Sequence, residues 1–199
     1  MRGKAKILDS EEFKRLMKFV STNKYAKRDS LLIMFSFGLG LRAIEMAAIK
    51  VCHLIDEKGK LIETVQLPRT KGQKPRPIYI TDKKIQQCLI EYIQARKLES
   101  ESKRKIFSLN QPLFLSQKGS HFTNKTLSKL FDTIYKNSGL KATSHSGRRT
   151  FATNLIEKGV DIRSVQVLMG HSNINQTAEY VQHNPERLKR ISADALTFI

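Results

Sequence analysis

Ser144-His145-Ser146-Gly147-Arg148-Arg149-Thr150-Phe151-Ala152-Thr153 is the stretch on which the reading of this chain turns. It pairs a histidine and an arginine three residues apart at the start of a predicted helix, about residues 147–158, that stops at Gly159. Downstream, Asp161 caps a second helix with Ile162, Val165, Leu168 and Met169 turned inward and Gly170 at its end. His171 follows that glycine, and Tyr180 lies nine residues beyond His171 on a further short helix. Asn184-Pro185 opens a final helix with Leu188, Ile191 and Ala195 on its apolar side.

Upstream, Ser10 is placed to cap a first helix carrying Phe13, Leu16, Met17 and Val20 at helical spacing. A more apolar helix follows over about residues 28–37, ended by Gly38 and Gly40, and a third begins near Leu41 with Arg42, Glu45 and Met46. Leu61 to Leu67 and Arg76 to Ile80 read as two strands joined by Pro68-Arg69-Thr70-Lys71-Gly72-Gln73-Lys74-Pro75, a turn-rich basic connection. This predicts a β-hairpin with a positive tip. Thr81 is placed to cap a helix to about Lys97, residues 99–105 read as a loop, and Leu113-Phe114-Leu115 as a short strand or edge. Thr123 caps an amphipathic helix with Leu127, Leu130, Phe131, Ile134 and Tyr135 on one face, ended by Gly139. The fold class is mainly α with a small antiparallel β-sheet.

The charge narrows the partners. Thirty-six lysines and arginines against 18 acids give a net charge of +18 over 199 residues, with a pI near 10.1. Such a balance favours a polyanion, nucleic acid or an acidic membrane surface. Hydrophobic residues at 40% are too many for a disordered basic tail. Residues 1–140 hold 28 basic and 13 acidic groups and residues 141–199 hold 8 and 5, so the first two-thirds supply most of the grip. Cys52 and Cys88 make neither a disulfide framework nor a cysteine zinc site, and a reducing cytosol suits them. The longest apolar run, Leu31 to Phe35, is far too short to cross a bilayer, and the basic start lacks the apolar stretch of a secretory signal. No GxxxxGK loop points to ATP.

Four stretches taken together carry a resemblance: Gly38 to Glu45, Arg69 to Gly72, Ser144 to Thr153, and Leu168 to Ser172 with Tyr180. In this order they resemble the tyrosine recombinases, or phage integrase family, over the catalytic domain, roughly residues 7–196. That family has an arginine after a glycine-leucine turn, a lysine at a hairpin tip, a His-x-x-Arg helix start, a Gly-His, and a tyrosine nine residues on. The resemblance implies the integrase catalytic-domain fold and a DNA recombinase that works without metal, ATP or another cofactor. It implies Arg42, Lys71, His145, Arg148, His171 and Tyr180 as catalytic residues and Glu45 as a structural support. Lys71 is preferred to Lys74 because it follows Thr70 and precedes Gly72. Arg69, Lys74, Arg76 and Arg149 are expected to contact DNA.

The residue types suit that chemistry. Splitting a phosphodiester without metal needs cations on the non-bridging oxygens, and arginine is bidentate to phosphate and always charged. Tyrosine can form a covalent intermediate but needs a base or a cationic setting, since its ordinary pKa is about 10. A lysine on a hairpin can protonate the leaving 5′-oxygen.

The sequence also departs from the family. Gly147 and Arg149 stand where leucine and histidine are usual. Gly147 is expected to loosen the helix start and Arg149 to add a cation beside the site. Only 41 residues precede Arg42, so the N-terminal DNA-clamping domain of typical members, about a hundred residues, is expected to be absent. The chain thus resembles the short, catalytic-domain-only members such as the fimbrial-switch DNA invertases. The family acts on double-stranded DNA as a homotetramer on two sites, with accessory DNA-bending proteins in some systems. That implies a cytoplasmic, nucleoid-associated protein. The segment 182–199, with its helix near residues 185–196, either docks on a neighbouring protomer or packs on its own core. A DNA-binding regulator with this fold and no turnover, and a type IB topoisomerase, are the alternative readings.

Overall fold

The computed structural model describes residues 5–70, 75–181 and Ser192. Lys71 and Lys74 of the hairpin tip, and the expected helix near residues 185–196, lie outside the described residues.

Helix α1 spans Ser10–Ser21. Its cap is Asp9 rather than Ser10: the Asp9 carboxylate accepts from Glu12 N–H at 2.8 Å, and Glu12 reaches back to Asp9 N–H at 3.4 Å. Helix α2, Ala26–Gly38, starts earlier than its apolar run because Arg28 and Asp29 are themselves buried and paired at 2.8 Å. Burial around nearly its whole girth makes α2 the central helix, with Leu31, Leu32, Ile33 and Phe35 closed from solvent. It packs against α1, against α4 (Lys83–Ser102) and against α6 (Ser146–Glu157). Helix α3 is the short Ala43–Ala48, packed on the amphipathic α5, Asn124–Asn137, which Thr123 does cap.

Among the described residues the sheet is one antiparallel pair, β1 (Thr64–Gln66) and β2 (Pro77–Tyr79), with Val65 opposite Ile78. Helix α4 is capped by Asp82, whose Oδ1 accepts from Lys84 and Ile85 N–H, so Thr81 stays outside. That helix continues through Ser102, where a loop was expected from residue 99. Arg96 explains part of the extension: it is buried and donates to the carbonyls of Pro112 and Leu113, both at 2.6 Å. Residues 113–115 form no strand, only bridges on either side, Lys50 to Pro112 and Leu115 to His121. Phe114 is instead a core residue, edge-on to Phe35 and stacked with Tyr92.

The last described elements are α7 (Ile162–Met169), capped by Asp161 and ended by Gly170 in the left-handed region, and the one-turn α8 (Asn175–Ala178). One large core joins α1–α5 and the hairpin. A second, small cluster of Ala152, Ile156, Val165 and Met169 joins α6 to α7. Each fully buried Leu, Ile or Phe contributes roughly 1.5–3 kcal/mol, so the two clusters differ greatly in holding power. Among the described residues, no helix is long and apolar enough to cross a membrane.

Candidate nucleic-acid strand-cleavage site

The turn before α3 begins the site. Gly40 adopts φ +61°, and an added Cβ there would sit 2.5 Å from the Phe151 ring. Only glycine fits this close, left-handed turn. It aims the Gly40 carbonyl inward, where Arg148 Nη1 donates at 2.6 Å and Arg76 Nη2 at 3.2 Å. Arg42 follows as the cap position of α3. The Glu45 carboxylate accepts from Arg42 N–H at 2.7 Å and from Arg42 Nη1 at 3.0 Å.

Glu45 is the buried hub. It also accepts from Arg76 through Nε at 3.1 Å and Nη2 at 3.0 Å, and Arg148 Nη1 lies 3.9 Å away. Burial works to raise its pKa, but the bonds and charge of Arg76, then Arg42 and Arg148, outweigh it and hold the carboxyl below its ordinary range. One anion among three guanidiniums leaves a surplus of positive charge that a phosphate can meet.

Arg148 rises from the first turn of α6, buried, with Nη2 donating to the Met169 carbonyl at 2.5 Å. Burial first, then Arg42 and Arg76, bring its pKa down to about 9, still a cation at neutral pH. His145 stands exposed just before α6; partial desolvation, then Arg148 and Arg42, lower its pKa. The positive end of the α6 dipole adds to the local field.

His171 is held from several sides. Its backbone N–H donates to Gln166 O and its carbonyl accepts from Gln166 Nε2, both at 3.1 Å. Its Nδ1 meets Thr177 Oγ1 at 2.8 Å, and its ring stacks on Tyr180 with centroids 5.9 Å apart. Burial, then Arg148, Arg42 and Arg76, pull its pKa down to about 4, so it is neutral near pH 7. Thr177 and Gln166 were not singled out in the sequence; their signal was position, three residues before Tyr180 and five before His171.

Arg42, His145, Arg148, His171 and Tyr180, with Arg149, Ala5 and Glu179, line one cleft of about 250 Å³. Five of the six residues expected to be catalytic therefore come together, and the sixth, Lys71, lies outside the described residues. Arg149 donates to the Ala5 carbonyl at 2.6 Å and holds Ala5 beside this cleft. Arg69 is exposed on the hairpin. Arg76 corrects the expectation of a DNA contact: it is buried and its donors are taken by Glu45 and by the carbonyls of Gly40 and Leu168.

Gly147 also differs from expectation. It does not loosen the start of α6, which begins at Ser146. An added Cβ would lie 2.3 Å from Ser36 Oγ and 2.7 Å from the Phe37 ring, so glycine lets α6 seat closely on α2.

The phage integrase family model matches residues 6–187. The chain belongs to the phage integrase family. It is 29% identical over 198 residues to the tyrosine recombinase XerA of Thermococcus kodakarensis, covering 98% of this chain and 64% of that protein. A crystal structure of XerA recombinase superposes with a TM-score of 0.75 at 23% identity, covering 98% of this chain and 67% of that one. A XerH site-specific recombinase bound to its difH substrate gives a TM-score of 0.70 at 27% identity, covering 97% and 55%. The fold is that of these integrase-family proteins. The chain spans about three-fifths of the length of the curated relatives it matches.

Proposed function

We propose that this chain is the catalytic module of a site-specific DNA recombinase, cutting and rejoining strands through Tyr180. The observation that carries the reading is the cleft itself: three arginines, two histidines and a tyrosine around a space of about 250 Å³. Arg42 and Arg148 grip the non-bridging oxygens of one phosphate, with His145 and His171 donating further hydrogen bonds. The Tyr180 oxygen attacks phosphorus as its proton passes to solvent, with the surrounding cations favouring the phenolate. The bond from phosphorus to the 5′-oxygen breaks, and Lys71 on the hairpin protonates that oxygen as it leaves. A 3′-phosphotyrosyl link and a free 5′-hydroxyl result. Attack by a 5′-hydroxyl of a second strand reverses the chemistry and restores Tyr180 without an external energy source.

The partner is double-stranded DNA, in keeping with the net charge of +18. Most of the cations outside the cleft serve backbone contacts, so affinity falls steeply with salt. In this reading the active species is a homotetramer on two sites, with DNA-bending accessory proteins, in the cytoplasm on the nucleoid. Integration, excision and inversion share these steps and differ in the arrangement of sites.

The test uses a pool of nicked duplexes with randomised inverted-repeat arms. The chain is expected to form a covalent adduct that survives denaturing electrophoresis, and Tyr180→Phe to form none while binding the pool as before. An adduct with Tyr180→Phe contradicts the assignment. DNA binding with no adduct from the unaltered chain makes it a regulator, and relaxation of plasmid without a recombination site makes it a topoisomerase.

A further inference from the structure

Arg76 carries a permanent charge on the hairpin, yet only 4% of its surface is open to solvent. A buried arginine is tolerated only where its donors are matched. Here four bonds run to three separate parts of the fold: Glu45 of α3, taken by Nε and Nη2, the Gly40 carbonyl, and the Leu168 carbonyl at the end of α7. Each part leads to a group in the cleft. Glu45 orients Arg42 through two further bonds. The Gly40 carbonyl is shared with Arg148. Leu168 stands three residues before His171, across the left-handed Gly170. Gly170 itself bears witness to the packing, since an added Cβ there would lie 2.4 Å from Arg76 Cδ.

We propose that Arg76 is a positioning residue that ties the hairpin to the phosphate site, setting Arg42 and Arg148 through Glu45 and Gly40 and His171 through the end of α7. The proposal rests on the reading of the cleft as the strand-cleaving site. Arg76 touches no DNA in this role. It gives β2, the strand that follows Arg76 in the chain, a rigid connection to the groups that would hold the phosphate.

Arg76→Lys is the variant to make. It keeps the charge, but an ammonium cannot span both carboxylate oxygens and two carbonyls as the guanidinium fork does. Measured on the full chain with the nicked-duplex pool, adduct formation at saturating DNA is expected to slow about 100-fold, the scale of a misplaced catalytic group. The half-saturating DNA concentration and the salt slope of binding are expected to stay unchanged. A surface phosphate contact would instead leave the saturated rate near wild type and change at most the half-saturating DNA concentration, since lysine keeps the charge, and that result overturns the proposal. So does a wild-type rate in Arg76→Lys. Gly170→Ala pushes on the Arg76 stem without changing any charge, and it stands in should Arg76→Lys fail to fold; a wild-type rate there counts against the proposal equally. The Nε–H resonances of Arg42 and Arg148 give a readout free of chemistry. They are expected to shift in the variant, and resonances that stay in place overturn the positioning role even in a chain that forms no adduct. An unaltered chain without adduct overturns the strand-cleaving reading instead.

Discussion

Arg42 rests on the large core built from α1–α5 and the hairpin, whereas Tyr180 rests at the edge of a cluster of four buried residues from α6 and α7. The cation side is held by burial on one flank and by the Glu45 carboxylate on the other. The tyrosine side is held by a one-turn helix, the stack on His171 and the Thr177 contact that fixes that ring. Arg148 belongs to both, since it starts on α6 and ends on the carbonyls of Gly40 and Met169. The difference separates two jobs. In the proposed reaction the charges that meet a phosphate need a fixed geometry, and the side chain proposed to approach, attach and detach stands on a lightly built arm among the described residues.

The knot between the two regions gives the largest expected effect. Glu45→Ala leaves Arg76 and Arg148 buried without their counter-charge, and urea unfolding is expected to show a loss of about 3–5 kcal/mol. A loss under about 1 kcal/mol would mean that the knot behaves like an exposed ion pair and that the cation side is not held as described. Next comes the seat of α6 on α2. Gly147→Ala forces the Ser36 and Phe37 side chains aside, with an expected cost of about 1–3 kcal/mol in the same measurement. Equal stability would show that α6 has room to shift. In the small cluster, Ile156→Val is expected to cost about 0.5–1.5 kcal/mol. Amide exchange in α7 and α8 is expected to speed up more than exchange in α2, because among the described residues these helices rest on that small cluster; a uniform change would erase the contrast.

A further effect is one of pH. His171 has a folded pKa of about 4 against an ordinary 6.5, so the unfolded chain binds the extra proton first as pH falls. The stability tied to the neutral ring is complete above about pH 6.5 and lost as pH drops toward 4. His171→Gln is expected to flatten the stability profile in that window, and an unchanged profile would place the acid sensitivity elsewhere. In the proposed DNA complex a phosphate lies beside the ring, and its titration point is expected to rise, read from the imidazole resonances.

Much of this was legible in the sequence because the motif residues sit on local signals. The Gly-Leu turn before Arg42, the His-x-x-Arg helix start and the tyrosine nine residues past His171 each mark a place on the chain, and the fold brings those places together. Several helix ends were readable to within a residue, but α2 began two residues early and α4 ran five residues past its expected end. Asp9 displaced Ser10 and Asp82 displaced Thr81 as the capping group, since neighbouring polar residues compete for the same amides. Arg76 was not legible. In a basic hairpin it looks like one more solvated charge, and its burial follows from closure of α7 over the strand, a contact between residues ninety-two apart in sequence. Gly147 was misread for the same reason: its neighbour is α2, not its own helix.

The most direct measurement is the chemical identity of the covalent link. The chain is incubated with the nicked-duplex pool, the adduct digested with protease and nuclease, and the modified peptide sequenced by mass spectrometry. The account predicts a single modified peptide with the nucleotide on Tyr180, joined through the 3′-phosphate. A link on any other side chain, or through a 5′-phosphate, would contradict it.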